Sequence, residues 1–198
     1  MSVQAPDASL DVYNNLSKLI GQTMNSEALR VGLVAMFGSV LPEPELKVYS
    51  DGVYLNYYTI GSSLFFILEK DYRPKSSSLD ANKLRLKSID VYNKRAEDGS
   101  KKQTFSTFPL LPLVLPTSSG AVKVAADTTG KDLVEALGEP PRKGGGDGPS
   151  SGSIDIWCEW PIYGIMAELD QRGPQAWERG KDASWKVLTI FLPTENEQ

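Results

Sequence analysis

The chain has no histidine and a single cysteine. Without histidine there is no Ser-His-Asp or Cys-His nucleophile pair and no imidazole base, and most zinc and copper sites lose their commonest ligand. The lone Cys158 cannot close an internal disulfide. No stretch approaches the roughly 20 apolar residues that span a bilayer. The opening residues, MSVQAPDASLDVYNN, carry neither the basic nor the apolar segment of a secretory signal. These shortages imply a reducing, cytoplasmic setting with no membrane contact, no metal and no cofactor. Basic charge is also scarce: the net charge is −4 and the isoelectric point near 5.0. Phosphate recognition needs a basic face, so nucleic acid is excluded as the main partner, and a basic protein suits the charge better.

What is present suffices for a packed core. Of 198 residues, 40% are apolar and 23% charged, which fits one ordinary domain or two small halves sharing an interface. Val12, Leu16, Leu19 and Ile20 recur at helical spacing and predict a helix over 9–21, with Ser9 and Gly21 at its ends. Leu29, Leu33, Met36 and Phe37 predict a second over 26–37, capped by Asn25 or Ser26 and stopped by Gly38. Residues 53–59 and 62–68 then read as strands turned at Gly61, and 84–92 as a third. Residues 93–104 read as a polar linker. Pro109, Pro112 and Pro116 in FPLLPLVLP exclude a helix or a central strand, so that segment is expected to run extended across the body, with a short strand over 122–125. Thr129 caps a helix over 131–137 that stops at Gly138. RKGGGDGPSSGS reads as a flexible loop, 154–160 and 163–169 as strands, DQRGPQAWERGKD as a polar loop, 185–192 as a last strand and TENEQ as a disordered tail.

These elements repeat. Leu33, Val34, Phe37 and Gly38 match Leu133, Val134, Leu137 and Gly138, and Pro42 and Pro140 follow the two glycines. Each half continues with an aromatic strand, a glycine turn, an apolar strand and a closing strand, LKSIDVY in one and WKVLTIF in the other. A helix ending in LG-x-P followed by three strands resembles the ααβββ unit of the SmpA/OmlA lipoproteins, DLVEALGEPPRKGG being the closest stretch. Two such units in tandem resemble the β-lactamase-inhibitor-protein fold and many toxin-immunity proteins. The resemblance implies an α+β fold of two related halves, 9–92 and 105–193, with helices packed on one face of an extended antiparallel sheet. It also implies an inhibitor or immunity role. The second half departs from the pattern, because FPLLPLVLPTSS stands where the repeat has its first helix.

Catalytic motifs are absent or better explained structurally. Asp127-Thr128-Thr129-Gly130 reads as a helix N-cap, and the glycine run 144–148 lacks the spacing that cradles phosphate. Cys158 alternates in phase with Ile154, Ile156 and Trp160 and reads as a core thiol. Period-two alternation leaves a second strand face that mixes rings and acids: Tyr54, Tyr58, Asp90, Tyr92, Asp155, Trp157, Glu159, Trp185 and Phe191. Rigid rings for area with polar groups for orientation suit a protein partner. The expected function is therefore a non-catalytic protein-binding module. The alternative is a small-molecule enzyme using carboxylates as acid and base without histidine or metal.

Overall fold

Helices form where the apolar spacing places them, and two of them start at a side-chain cap. The computed structural model describes residues 8–75, 78–93, 104–117, 120–146 and 154–194. Helix α1 spans Ala8–Leu19 and buries Tyr13, Leu16 and Leu19. Helix α2, Glu27–Phe37, starts where the Ser26 side chain accepts from the Leu29 N–H and buries Leu29 and Leu33. Helix α3, Gly130–Leu137, starts in a reciprocal capping box between Thr129 and Asp132 and buries Leu133 and Leu137. α2 and α3 end alike, at Gly38 (φ 92°) and Gly138 (φ 84°), whose N–H groups bond the carbonyls of Val34 and Val134. Among the described residues no helix is long and apolar enough to cross a membrane.

The strands are β1 (Glu45–Val48), β2 (Gly52–Tyr57), β3 (Ser62–Leu68), β4 (Leu84–Tyr92), β5 (Leu113–Thr117), β6 (Gly120–Val124), β7 (Arg142–Gly146), β8 (Ile154–Trp160), β9 (Ile165–Leu169) and β10 (Trp185–Phe191); a short helix α4, Ala176–Gly180, precedes β10. Eight of them form one antiparallel sheet in the order β1-β2-β3-β4-β10-β9-β8-β7, and β5 and β6 pair separately. Two four-stranded meanders thus meet where β4 pairs with β10. Leu46, Leu55, Leu64, Ile89, Ile190, Ile165 and Trp160 lie in one cross-strand row. Most of that row is buried in a single cluster with Leu16, Leu29, Leu33 and Leu133, so the core runs through both meanders. Phe66, Phe108, Trp160 and Trp185 are among its largest fully buried side chains. Removing each from water contributes about 2–3 kcal/mol.

Several expectations are corrected. The stretch 142–146 is not a loop but edge strand β7. Gly144 admits the Trp157 ring, since a Cβ there would lie 2.7 Å from that ring. α4 arises in the segment read as a polar loop, and β1 in a stretch where no element is predicted. Tyr58–Ile60 and Pro161–Tyr163 are single 3-10 turns ending at left-handed Gly61 and Gly164, so β2 and β9 are shorter than the alternation suggested. Pro116 sits within the two-stranded pair, where a missing N–H costs no central ladder bond. Leu192 lies beyond the end of β10 and is exposed. Residues 94–103 of the expected linker and 195–198 of the expected tail lie outside the described residues.

Candidate functional site: the outer sheet face

Residues alternating with the core define a second, outer face. One cross-strand row on it touches every strand of the sheet: Glu45, Asn56, Ser63, Asp90, Thr189, Met166, Glu159 and Arg142. On one side runs Tyr92, Val187, Glu168, Trp157 and Gly144. On the other runs Lys47, Tyr54, Phe65, Ser88 and Phe191. The sequence-predicted Tyr54, Asp90, Tyr92, Asp155, Trp157, Glu159 and Phe191 all take this phase, and all are half-buried. Tyr58 follows β2 in the 3-10 turn and joins the same cluster through its ring.

Trp185 does not join them. The β10–β9 register shifts between Trp185 and Val187, so β10 carries one extra residue there. That bulge flips the phase, and Trp185 is 0% exposed in the core. Its indole N–H donates to the Ala125 carbonyl at 2.7 Å.

At the β2–β4 end the rings build a cleft of about 380 Å³. Tyr54 stands at one end, with its centroid 4.6 Å from that of Phe65. At the other end Phe105 lies parallel to Tyr92, centroids 3.7 Å apart and planes 3° apart, and 4.5 Å from Tyr58. Asn56 and Ser63 supply the floor, where the Ser63 hydroxyl donates to Asn56 Oδ1 at 2.7 Å. Lys47, Tyr49 and Asp51 complete the lining.

Carboxylates cluster at the centre. Asp90 accepts from the Thr189 hydroxyl at 2.7 Å, and burial, opposed by that bond and reinforced by Glu168, pushes its pKa up to about 6. Burial also raises Glu168, against the pull of Lys186. The Lys186 ammonium bonds Asp155 and lies 3.1 Å from Glu168. Burial opposes its charge, but the two carboxylates outweigh that and hold its pKa above the ordinary lysine value. Burial raises the Tyr92 phenol, and so do the charges of Asp90 and Glu168. Tyr54 is raised by burial and then by Asp90. Toward the β7 edge, Arg142 pairs with Glu159 at 2.8 Å. Asp155 and Glu168 therefore share one ammonium near the middle of this face, with Asp90 next to Glu168.

Sequence reasoning placed Thr189 on this face but missed Met166, Glu168, Lys186, Arg142 and Phe105. Met166 and Glu168 alternate with Ile165, Ala167 and Leu169, so their phase was readable. Phe105 reaches the cleft from a distant connection, which no local pattern reveals. Cys158 is buried, and its thiol is raised by that burial. Among the described residues no three Cys, Asp or Glu side chains converge as a metal site would require. No family model, curated protein or solved structure matches this chain.

Proposed function

We propose that the chain is a non-catalytic protein-binding module that holds a basic protein partner on the outer face of its sheet. The observation that carries this reading is the eight-strand row with its flanking rings and its excess of half-buried carboxylates over cations. Half-buried aromatics offer area at low entropic cost, and unbalanced carboxylates offer orientation to a cationic partner. The mechanism is occlusion of whatever surface the partner presents, as in an inhibitor or immunity-type protein, in a reducing cytoplasm that keeps Cys158 a thiol.

The duplicated construction, with helices on the inner face only, belongs to the same proposal. Its support is a set of paired details. Tyr92 and Phe191 each donate their N–H to the carbonyl of a left-handed glycine, Gly61 and Gly164, at 2.9 Å in both cases. Ser106 and Thr194 donate to the carbonyls of Tyr58 and Pro161 that open the two 3-10 turns. Isolated bridges Thr23–Arg85 and Thr129–Ser184 tie the start of each closing strand to the approach to α2 or α3. The departure noted in the sequence falls where β5 packs against α1. The ααβββ resemblance stands on the same footing as this duplication.

The test compares wild type with the double variant Tyr92→Ala, Trp157→Ala in affinity capture from native lysate. The expected result is one protein retained stoichiometrically by wild type and at least tenfold depleted with the variant. The variant must keep a cooperative thermal transition. Undiminished retention by a folded variant would remove the outer face as the binding surface.

A further inference from the structure

The aromatic cleft at the β2–β4 end already shows, within the chain, two kinds of group that its walls accept. Phe105 demonstrates a flat group: its ring is stacked parallel on Tyr92 and against Tyr58. Lys47 demonstrates a cation: its ammonium lies 5.8 Å from the Tyr58 centroid and bonds the Tyr58 hydroxyl at 3.1 Å. Between these groups and Tyr54 the cleft is floored by polar Asn56 and Ser63. The next residue along that row is Asp90, whose carboxylate has the Thr189 hydroxyl as its side-chain donor. Asp51 stands at the rim. Burial raises the phenols of Tyr54 and Tyr92, and the charge of Asp90 adds to it in both.

We infer that this cleft is the subsite for the guanidinium group of an arginine carried by the protein partner. The inference rests on the proposed function for the source of that arginine, but the subsite's chemistry can be tested without the partner. A guanidinium is planar, so it stacks as Phe105 does, and permanently charged, so it can also bond at the hydroxyl end of Tyr58, where Lys47 sits paired with Glu45. Its five N–H donors meet Asn56 Oδ1, the tyrosine hydroxyls and the Asp51 carboxylate at the rim, with the charge of Asp90 just beyond Ser63. An ammonium would satisfy the charge but not the stacking, and a neutral ring the stacking but not the charge.

The probe is butylguanidinium, compared with its neutral planar isostere butylurea, titrated into the full chain and followed by NMR shifts of tyrosine ring and indole N–H signals. Butylguanidinium is expected to bind saturably and at least tenfold more tightly than butylurea. Tyr92→Ala, or Tyr54→Ala at the opposite end, should weaken it at least tenfold, and Asp90→Asn at least threefold. Trp177→Ala, on α4 and away from the cleft, should leave it unchanged. Equal binding of the two probes, or binding indifferent to both tyrosine variants, overturns the inference. Butylammonium binding as tightly as butylguanidinium also overturns it, because stacking would then contribute nothing. A failed titration alongside partner loss in the Tyr92→Ala, Trp157→Ala variant discards the subsite alone. A successful titration without that loss discards the docking face alone.

Discussion

Replacing Trp185 with alanine is expected to destabilise the fold by about 3–5 kcal/mol, the range for truncating a large buried ring. Trp185 is 0% exposed, and the variant would also lose the indole N–H bond to the Ala125 carbonyl, leaving that oxygen only the Thr128 N–H at 3.2 Å. For a domain of this length the midpoint of thermal unfolding should fall by roughly 10 °C. The measurement separates two placements of the side chain. On the outer face its loss would change stability by no more than about 0.5 kcal/mol and would show in binding instead. Circular dichroism melts with urea titrations decide between them, and an unchanged midpoint would put Trp185 back on the outer face.

The same residue shows why strand phase was only partly legible. Trp185 and Leu188 are both buried although three residues apart, and a regular strand places such a pair on opposite faces. That odd spacing was the available sign of a bulge. Leu86 and Ile89 in β4 carry the same sign, and there too the register slips, beside Phe65 and Phe66. Helices were clearer because their ends are written locally, in Ser26, Thr129, Gly38 and Gly138. β7 was hidden because its three glycines read as a loop: Gly144 makes room for a neighbour, Trp157, and Gly145 and Gly146 take positive φ within the edge strand. The same limit applies at the site. Alternation placed Tyr54, Asp90, Tyr92, Asp155, Trp157, Glu159 and Phe191 on one face, whereas Phe105 depends on a long-range return of the chain.

Asp90→Asn is expected to stabilise the protein at neutral pH. The folded-state pKa of Asp90 is raised to about 6, above the ordinary value of 3.8. The folded state therefore holds the proton more tightly than the unfolded state does. Stability is fully present below about pH 4 and falls as pH rises through about 6, at roughly 1.4 kcal/mol per pH unit in between. Asparagine removes that loss, and its Oδ1 can still accept from Thr189. The variant should match wild type near pH 4 and exceed it by roughly 2 kcal/mol at pH 7. The groups around Asp90 are Thr189 on β10, Glu168 on β9, and the phenols of Tyr54 on β2 and Tyr92 on β4. Glu168, also raised, leaves a shallower slope of the same sign in the variant. Urea titrations at pH 4, 5.5 and 7 read the difference. A variant less stable than wild type at pH 7 would mean that Asp90 is held as a favourable anion.

Together these two substitutions separate the inner face from the outer. Trp185 holds the fold, whereas the charge of Asp90 costs stability, a cost that the proposed binding role of the outer face would account for.

The most direct measurement is hydroxyl-radical footprinting of the captured complex against the free chain. The account predicts strongly reduced oxidation at Trp157, Met166 and Tyr92, which lie on the outer face. It predicts unchanged oxidation at Trp177 on α4 and at Met36 on α2. Protection of Trp177 and Met36, with Trp157 and Met166 oxidised as in the free chain, would place the partner on the helices and contradict the account.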